Sequence, residues 1–225
     1  MGKMAIASQE TVFVTPAAAL AATLTVGPAS RGLVVFAHGS GSGRFSPRNR
    51  AVADVLHGEG LGTLLLDLLT EDEQRVDEVT REHRFNIELL AQRVVAAIDA
   101  AGQRPQTAGL PIGLFGASTG AAAALAAAGR RPAAVKAVVS RGGRGDLAAK
   151  DLPNVRAAVL LIVGGRDPEI LLLNRQVQSM LQCPNELVIV PGAGHLFEES
   201  DTLYQAARHA AEWFSRNLVL AAGEE

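Results

Sequence analysis

The sequence is poor in cysteine and nearly balanced in charge. Its single cysteine among 225 residues, Cys183, excludes an internal disulfide framework and fits a reducing compartment. The formal net charge of −2 excludes a strongly basic surface for nucleic acids or anionic membranes. The apolar run over residues 17–26 is too short to span a bilayer, and no apolar core after residues 1–4 indicates a signal peptide. We therefore expect a cytoplasmic protein that binds neither nucleic acid nor membrane.

Metal chemistry finds no support in the sequence either. No group of histidine, cysteine and carboxylate residues has the spacing of a metal site. The expected set of cofactors and metals is therefore none.

Strand-like and helix-like segments alternate along the chain. Short apolar runs predict strands at residues 11–14, 19–26, 32–37, 62–69, 135–140, 157–163 and 186–190, and a further strand begins at residue 112. Apolar residues three or four positions apart predict helices at residues 47–57, 87–101, 121–128, 170–181 and 201–220. This order predicts one α/β domain over residues 1–225 without a separate lid domain. Its mainly parallel sheet would have about seven or eight strands, with helices on both faces and an antiparallel pair at one edge.

The most informative stretch is Ile-Gly-Leu-Phe-Gly-Ala-Ser-Thr-Gly at residues 112–120. An apolar run ends in a G-x-S-x-G pentapeptide, and an alanine-rich helical segment follows at once. This is the strand, sharp turn and helix of a nucleophile elbow, in which a strained serine is lifted above the sheet edge. The flanking glycines allow the strand and the helix to approach closely. Ser118 is therefore the candidate nucleophile.

Two partners for this serine follow it in the chain. Asp167 and His195 each come directly after a predicted strand, in glycine-rich turns, and the carboxyl ends of parallel strands meet at one edge of a sheet. Alternatives remain open for both residues. Asp167 precedes Pro168 and would also suit the N-cap of the next helix, Asp146 is a rival acid, and His195 would also suit a plain turn.

The chain order serine, aspartate, histidine around a G-x-S-x-G turn resembles the α/β-hydrolase superfamily. The resemblance runs from the loop His-Gly-Ser-Gly-Ser-Gly at residues 38–43 to the last helix. Within the superfamily, the chain is similar to the small, lidless, dienelactone-hydrolase-like branch. Dienelactone hydrolases use a cysteine nucleophile, so a serine at position 118 favours a general serine esterase.

The chemistry of such a triad assigns a role to each member. His195 would take the proton of Ser118 as general base and return it as general acid, while Asp167 would hold the imidazole in the required tautomer. The backbone N–H of Thr119 would bind the oxyanion, and the resemblance implies the N–H of Ser40 as a second donor.

Arginines are the features that bear on the substrate. Arg44 and Arg48 flank the first glycine-rich loop, and Arg141 and Arg144 follow the sixth strand. Guanidinium groups bind carboxylate or phosphate with two hydrogen bonds, so we hypothesise that Arg44, Arg141 and Arg144 bind an anionic group of the substrate. The alternative is that these arginines pair with Asp146 or solvent.

Three other features receive structural interpretations. Residues 70–84 are dense in charge and read as a solvated connection, with a substrate-covering loop as the alternative. His38 is expected to bond backbone within its loop, and Cys183 to pack as a small hydrophobic residue.

Together these features predict hydrolysis of a small carboxylic ester or thioester through an acyl-Ser118 intermediate. The expected partner is a small-molecule ester, and the oligomeric state stays open. Amide hydrolysis, acyl transfer and perhydrolysis would use the same triad. A non-catalytic binding protein that keeps the fold is the alternative from another class.

Overall fold

An eight-stranded sheet forms the centre of the molecule in the computed structural model, which describes residues 8–14 and 18–218. Residues 15–17, between the first two predicted strands, are not among the residues described. The strands are β1 (Ser8–Val14), β2 (Ala19–Thr25), β3 (Leu33–Ala37), β4 (Gly62–Leu66), β5 (Ile112–Ala117), β6 (Val135–Arg141), β7 (Ala158–Gly164) and β8 (Asn185–Val190). The helices are α1 (Pro47–Gly58), α2 (Glu71–Thr80), α3 (Ile87–Gln103), α4 (Thr119–Arg130), α5 (Pro168–Met180) and α6 (Thr202–Asn217).

The strands lie in the order β1-β2-β4-β3-β5-β6-β7-β8. The pairs β1–β2 and β2–β4 are antiparallel, and every pair from β3 to β8 is parallel. The predicted α/β-hydrolase fold, with its antiparallel edge, is thereby confirmed. The reversal of strand order beside β3 opens a crevice at the carboxyl ends of the central strands, where functional groups collect in such sheets.

The predicted fourth strand was too long by three residues. β4 ends at Leu66. The Asp67 N–H still donates to the Ala21 carbonyl of β2 (2.9 Å), but the other groups that follow β4 bond to loops. The Asp67 carboxylate accepts from the backbone N–H of Arg44 (2.7 Å), and the Leu68 N–H donates to the ring of His38 (3.0 Å). These bonds turn the chain away from the sheet and toward the glycine-rich loop after β3.

Helices cover both faces of the sheet, as predicted. Helices α3, α4 and α5 pack on one face, and α1 and α6 pack on the other. Helix α4 is buried from Thr119 to Gly129, and its run of alanines allows it to lie close against the sheet. Such a helix cannot shift without opening the core, so the turn at its start is held rigidly.

Helix α6 is fixed to the sheet by its aromatic residues. The indole of Trp213, the only tryptophan of the sequence, is buried and donates to the carbonyl of Ala158 (3.2 Å). The Phe214 ring fills the space over Gly113, where a Cβ would lie 2.7 Å from a ring carbon. No helix in the described ranges is long and apolar enough to cross a membrane.

Candidate active site

A single strained residue joins β5 to α4. Ser118 has φ = 52° and ψ = −121°, a backbone conformation that non-glycine residues rarely adopt. Three backbone hydrogen bonds hold it there. The Ser118 N–H donates to the Arg141 carbonyl (3.2 Å), and the Ser118 carbonyl accepts from the N–H groups of Ala121 (3.1 Å) and Arg144 (3.0 Å). The sharp turn that the pentapeptide predicts is therefore present.

The two flanking glycines are required by contact distance. A Cβ at Gly116 would lie 2.4 Å from the Cα of Ala121, and a Cβ at Gly120 would lie 2.2 Å from the carbonyl oxygen of Ala37. Both distances are far below van der Waals contact, so only glycine fits at either position. The pattern G-x-S-x-G thus reflects the close approach of β3, β5 and α4.

The structure brings Ser118, His195 and Asp167 into one line of hydrogen bonds. His195 Nε2 lies 3.3 Å from Ser118 Oγ, and His195 Nδ1 lies 2.8 Å from Asp167 Oδ2. A carboxylate only accepts, so in the neutral imidazole Nδ1 carries the proton and Nε2 is free to accept from the serine hydroxyl. At 3.3 Å the contact to Ser118 is longer than the one to Asp167 but within hydrogen-bond distance.

The structure also distinguishes between the two predicted roles of Asp167, helix N-cap and partner of His195. It stands at the N-cap position of α5 but makes no side-chain capping bond there, because its carboxylate is directed to His195. The rival acid Asp146 lies elsewhere and forms an ion pair with Arg144 (2.9 Å). The carboxylate that contacts the His195 imidazole is that of Asp167, so the structure favours Asp167 over Asp146 as the acid.

The two N–H groups predicted to bind the oxyanion differ in whether they already have a hydrogen-bond acceptor. Thr119 begins α4, where the first N–H groups of a helix have no partner within the helix. The Ser40 N–H, in contrast, already donates to the side-chain hydroxyl of Thr119 (2.9 Å). Ser40 is therefore at the expected place, but in this structure its donor is bound by Thr119. This side-chain contact joins positions 79 apart in the chain, and no local pattern signals it.

His38 has the structural role predicted for it. Its Nδ1 bonds the carbonyl of Gly39 (2.9 Å), and its Nε2 accepts from the Leu68 N–H (3.0 Å). Burial lowers the pKa of His38, although the bond to Gly39 and the charge of Asp67 act in the opposite direction. The imidazole is thus a neutral link between the loop after β3 and the loop after β4.

A cleft of about 210 Å³ opens beside the serine. Its walls include Ser118, His195, Arg141 and Arg48. The guanidinium of Arg48 is paired with Glu198 (2.8 Å), whereas Arg141 makes no ion pair with any described residue. Of the predicted substrate arginines, Arg141 therefore lines the same cleft as Ser118 and has no ion-pair partner among the described residues.

The other two predicted substrate arginines, Arg44 and Arg144, form ion pairs with carboxylates in the structure. Arg44 bonds Asp67 and Glu10 and stacks on the Phe45 ring, 4.1 Å from its centre. Arg144 donates three hydrogen bonds to Asp146, two from Nε (2.9 and 3.2 Å) and one from Nη2 (2.9 Å). Neither lines the cleft, and the charges of both are matched by carboxylates.

The charge-rich segment at residues 70–84 contains α2, which begins in a capping box formed by Thr70 and Glu73. Arg84 closes the turn after α2 through an ion pair with the buried Asp77 (2.6 Å). Most of the segment is exposed, as expected for a solvated connection. One side of it borders a second cavity of about 190 Å³, which shares only loop residues with the cleft at Ser118.

Cys183 and the possible metal ligands are the last features considered in the sequence. Cys183 is a buried free cysteine, and burial raises the pKa of its thiol, as expected for a packed small residue. Within residues 8–14 and 18–218, no group of three or more histidine, cysteine or carboxylate residues is arranged to hold a metal ion.

Comparison with known proteins places this geometry in a family. The model of the dienelactone hydrolase family matches residues 21–220. A crystal structure of a dienelactone hydrolase from Anabaena variabilis has 49% sequence identity and a TM-score of 0.93, and the match covers 95% of this chain and 99% of that one. Est1E from Butyrivibrio proteoclasticus has the same fold, with a TM-score of 0.77 at 15% identity over 92% of this chain and 98% of that one.

Two curated relatives from Mycobacterium tuberculosis carry the provisional name of phosphoribosyl transferase. They are 53% identical over 199 residues, which is 88% of this chain but only 44% of each relative's length. The chain thus spans less than half of these proteins. The family model covers most of the chain, and the Anabaena structure matches over nearly its whole length. The chain belongs to the dienelactone hydrolase family.

Proposed function

We propose that the protein is a serine hydrolase that cleaves a small carboxylic ester or thioester through an acyl-Ser118 intermediate. The observation that carries the proposal is the line of contacts from Asp167 through His195 to Ser118, at a turn that strains the serine backbone. Strained residues of this kind cluster at functional sites. Membership of a hydrolase family supports the same chemistry.

In the first half of the reaction, Ser118 Oγ attacks the carbonyl carbon of the ester while its proton passes to His195 Nε2. The carbonyl oxygen becomes an oxyanion beside the start of α4, where the Thr119 N–H and the helix dipole favour negative charge. When the tetrahedral intermediate collapses, the alcohol or thiol leaves with the proton from His195, and the acyl group stays on Ser118.

In the second half, water attacks the acyl-enzyme. His195 takes a proton from the water, a second tetrahedral intermediate forms, and the serine leaves as the hydroxyl by recovering that proton. Asp167 keeps Nδ1 protonated and stabilises the imidazolium in both halves. This cycle needs neither a metal nor a cofactor.

The setting of this activity follows from weaker observations and belongs to the proposal. All eight strands form one sheet, which supports a single domain over residues 1–225. The single cysteine supports a cytoplasmic location. The provisional name of the mycobacterial relatives is not carried over, because the chain matches only 44% of their length.

Labelling with a fluorophosphonate, followed by intact-mass analysis, tests the proposal. The wild type should gain the mass of one adduct, because an activated serine is phosphonylated and a plain serine is not. Ser118→Ala should gain none. Ser42→Ala is the matched control, since Ser42 also lines the cleft but has no contact with His195, and it should label like the wild type.

The outcome also separates the alternatives. An unlabelled wild type would contradict the proposal and favour a non-catalytic binding protein with this fold. A labelled wild type that consumes esters only with an added alcohol or with peroxide would point to acyl transfer or perhydrolysis at the same serine.

A further inference from the structure

His195 lies in the loop between β8 and α6, which we call the histidine loop (residues 191–201). In the described part of the chain, His195 makes no hydrogen bond from its own backbone to another backbone group. Its backbone is therefore held through its neighbours in the loop. On one side, the Ala193 carbonyl accepts from the N–H of Arg166 (2.9 Å), which joins the loop to the turn that carries Asp167.

A carboxylate holds the residue directly before His195. Oε2 of Glu199 accepts a hydrogen bond from the Gly194 N–H (3.0 Å). This bond lowers the pKa of Glu199, so the acceptor is an ionised carboxylate at neutral pH. Hydrogen bonds to ionised acceptors are stronger than those between neutral groups. The contact thus closes the part of the loop that contains His195.

The histidine loop contains an unusual backbone conformation between the two bonded residues. Phe197 has φ = 55°, which is rare for a bulky residue, and its side chain is buried. A left-handed residue reverses the direction of the chain, and here it lies between Gly194 and Glu199. Such strain persists only where surrounding contacts maintain it, and it is found mostly at functional sites.

Glu199 is itself anchored to helix α6. Its carbonyl accepts from both the N–H (3.1 Å) and the hydroxyl (2.7 Å) of Thr202, the first residue of the helix. Thr202 is buried, and α6 packs against the sheet. The bonds of Glu199 therefore connect a firmly packed helix to the residue that precedes His195.

We propose that Glu199 is a positioning residue, which holds His195 in place by bonding the Gly194 N–H; this inference rests on the proposed function. In this place the imidazole contacts both Ser118 and Asp167. A shift of the ring by about 0.5 Å would take the 3.3 Å contact to Ser118 out of hydrogen-bonding range. Glu199 is not among the residues that line the cleft, so it acts through the loop and not on the substrate.

Kinetics on a neutral ester, p-nitrophenyl acetate, test the role of this hydrogen bond. Glu199→Met keeps the length of the side chain but removes the acceptor. We expect kcat to fall by about 30-fold while KM stays within about twofold, because the ring is displaced but the binding cleft is not. Glu199→Gln retains an oxygen that can accept from Gly194, so its kcat should return to within about threefold of the wild type.

Glu198→Met is the matched control. Glu198 is the neighbouring residue with the same charge, but its carboxylate pairs with the side chain of Arg48 and not with the loop. It should keep the wild-type kcat. The inference is overturned if Glu199→Met loses no more than this control, if Glu199→Gln loses as much as Glu199→Met, or if Glu199→Met does not fold.

NMR of the protein without substrate tests the position of the ring independently of catalysis. The ring C–H resonances of His195 are assigned by their absence from the spectrum of His195→Gln. They should move in Glu199→Met and stay near their wild-type positions in Glu199→Gln and Glu198→Met. This result would support the inference even if no ester were cleaved and no serine labelled, which would contradict only the proposed function. Unmoved resonances in Glu199→Met, or the same movement in Glu198→Met, would overturn it.

Discussion

Two neighbouring turns of this molecule each hold an unfavourable energy, but of different kinds. The nucleophile turn (residues 116–120) lies where β5 ends, and the arginine turn (residues 141–146) lies where β6 ends. In the first, the unfavourable energy is conformational, because Ser118 has a positive φ while its backbone hydrogen bonds are made. In the second, it is electrostatic, because the Arg141 side chain is buried without a partner.

The two turns also support each other. The arginine turn supplies the carbonyl of Arg141 and the N–H of Arg144 that hold the Ser118 backbone. It is itself fixed by the buried side chain of Asn174, which donates to the Gly143 carbonyl (2.9 Å). The comparison teaches that strain in one turn can be maintained by hydrogen bonds from the next, so Ser118 is positioned by two strands instead of one.

The largest expected effect separates the acid of the triad from the acid of the arginine turn. We predict that Asp167→Asn lowers kcat/KM by about 10⁴-fold, because an amide in this place favours the wrong imidazole tautomer. Asp146→Asn should change it by less than about twofold, since that carboxylate only pairs with the partly exposed Arg144. Ester hydrolysis measured on both variants checks this, and a large loss in Asp146→Asn would mean that the arginine turn supplies catalysis.

The next largest effect is expected from a substitution that disrupts the nucleophile turn through a steric clash. Gly120→Ala should lower the free energy of unfolding by about 4 kcal/mol or prevent folding, because its Cβ would lie 2.2 Å from the Ala37 carbonyl in a fully packed region. Urea unfolding measures the difference. Gly102→Ala in α3 is the control, since no atom lies within 4 Å of its Cβ, and it should stabilise by about 0.5–1 kcal/mol. A stable Gly120→Ala would contradict the tight approach of β3 and α4.

The smallest effect concerns the link from the nucleophile turn to the loop after β3. Thr119→Val keeps the shape of the side chain but removes the acceptor of the Ser40 N–H, so we expect a loss of about 1 kcal/mol in the free energy of unfolding. Thr119→Ser retains the hydroxyl and should lose much less. If both variants unfold at the same urea concentration as the wild type, the hydrogen bond contributes nothing to stability.

Local patterns in the sequence were sufficient to predict the fold and to predict that Ser118, Asp167 and His195 lie at the ends of strands. The alternation of strands and helices predicted the parallel sheet, and the glycine-rich turns placed those residues at its carboxyl edge. These features depend on residues close together in the chain, so they can be predicted from the sequence without a structure. The capping box at Thr70 and Glu73 was also readable and would have marked the start of α2.

Pairing of charges was much harder to predict. No pattern of neighbouring residues in the sequence indicates that Arg44 bonds Asp67, 23 residues away. The same is true of the Thr119 hydroxyl, which accepts a hydrogen bond from the Ser40 N–H. The pair of Arg144 and Asp146 is only two residues apart and was the open alternative. Arg141 differs from both because no carboxylate among residues 8–14 and 18–218 pairs with it. The lack of a partner can be recognised only when the positions of the neighbouring residues are known.

The position of Trp213 has a practical consequence for spectroscopy. This sole indole is buried on α6, with its N–H bonded to the Ala158 carbonyl on β7. Its fluorescence emission therefore reports the docking of α6 on the sheet, and a red shift marks the loss of that contact. Trp213 is not among the residues that line the cleft, so a small ligand bound there should leave the emission unchanged. Intrinsic fluorescence is thus a measure of unfolding that does not depend on whether the cleft is occupied.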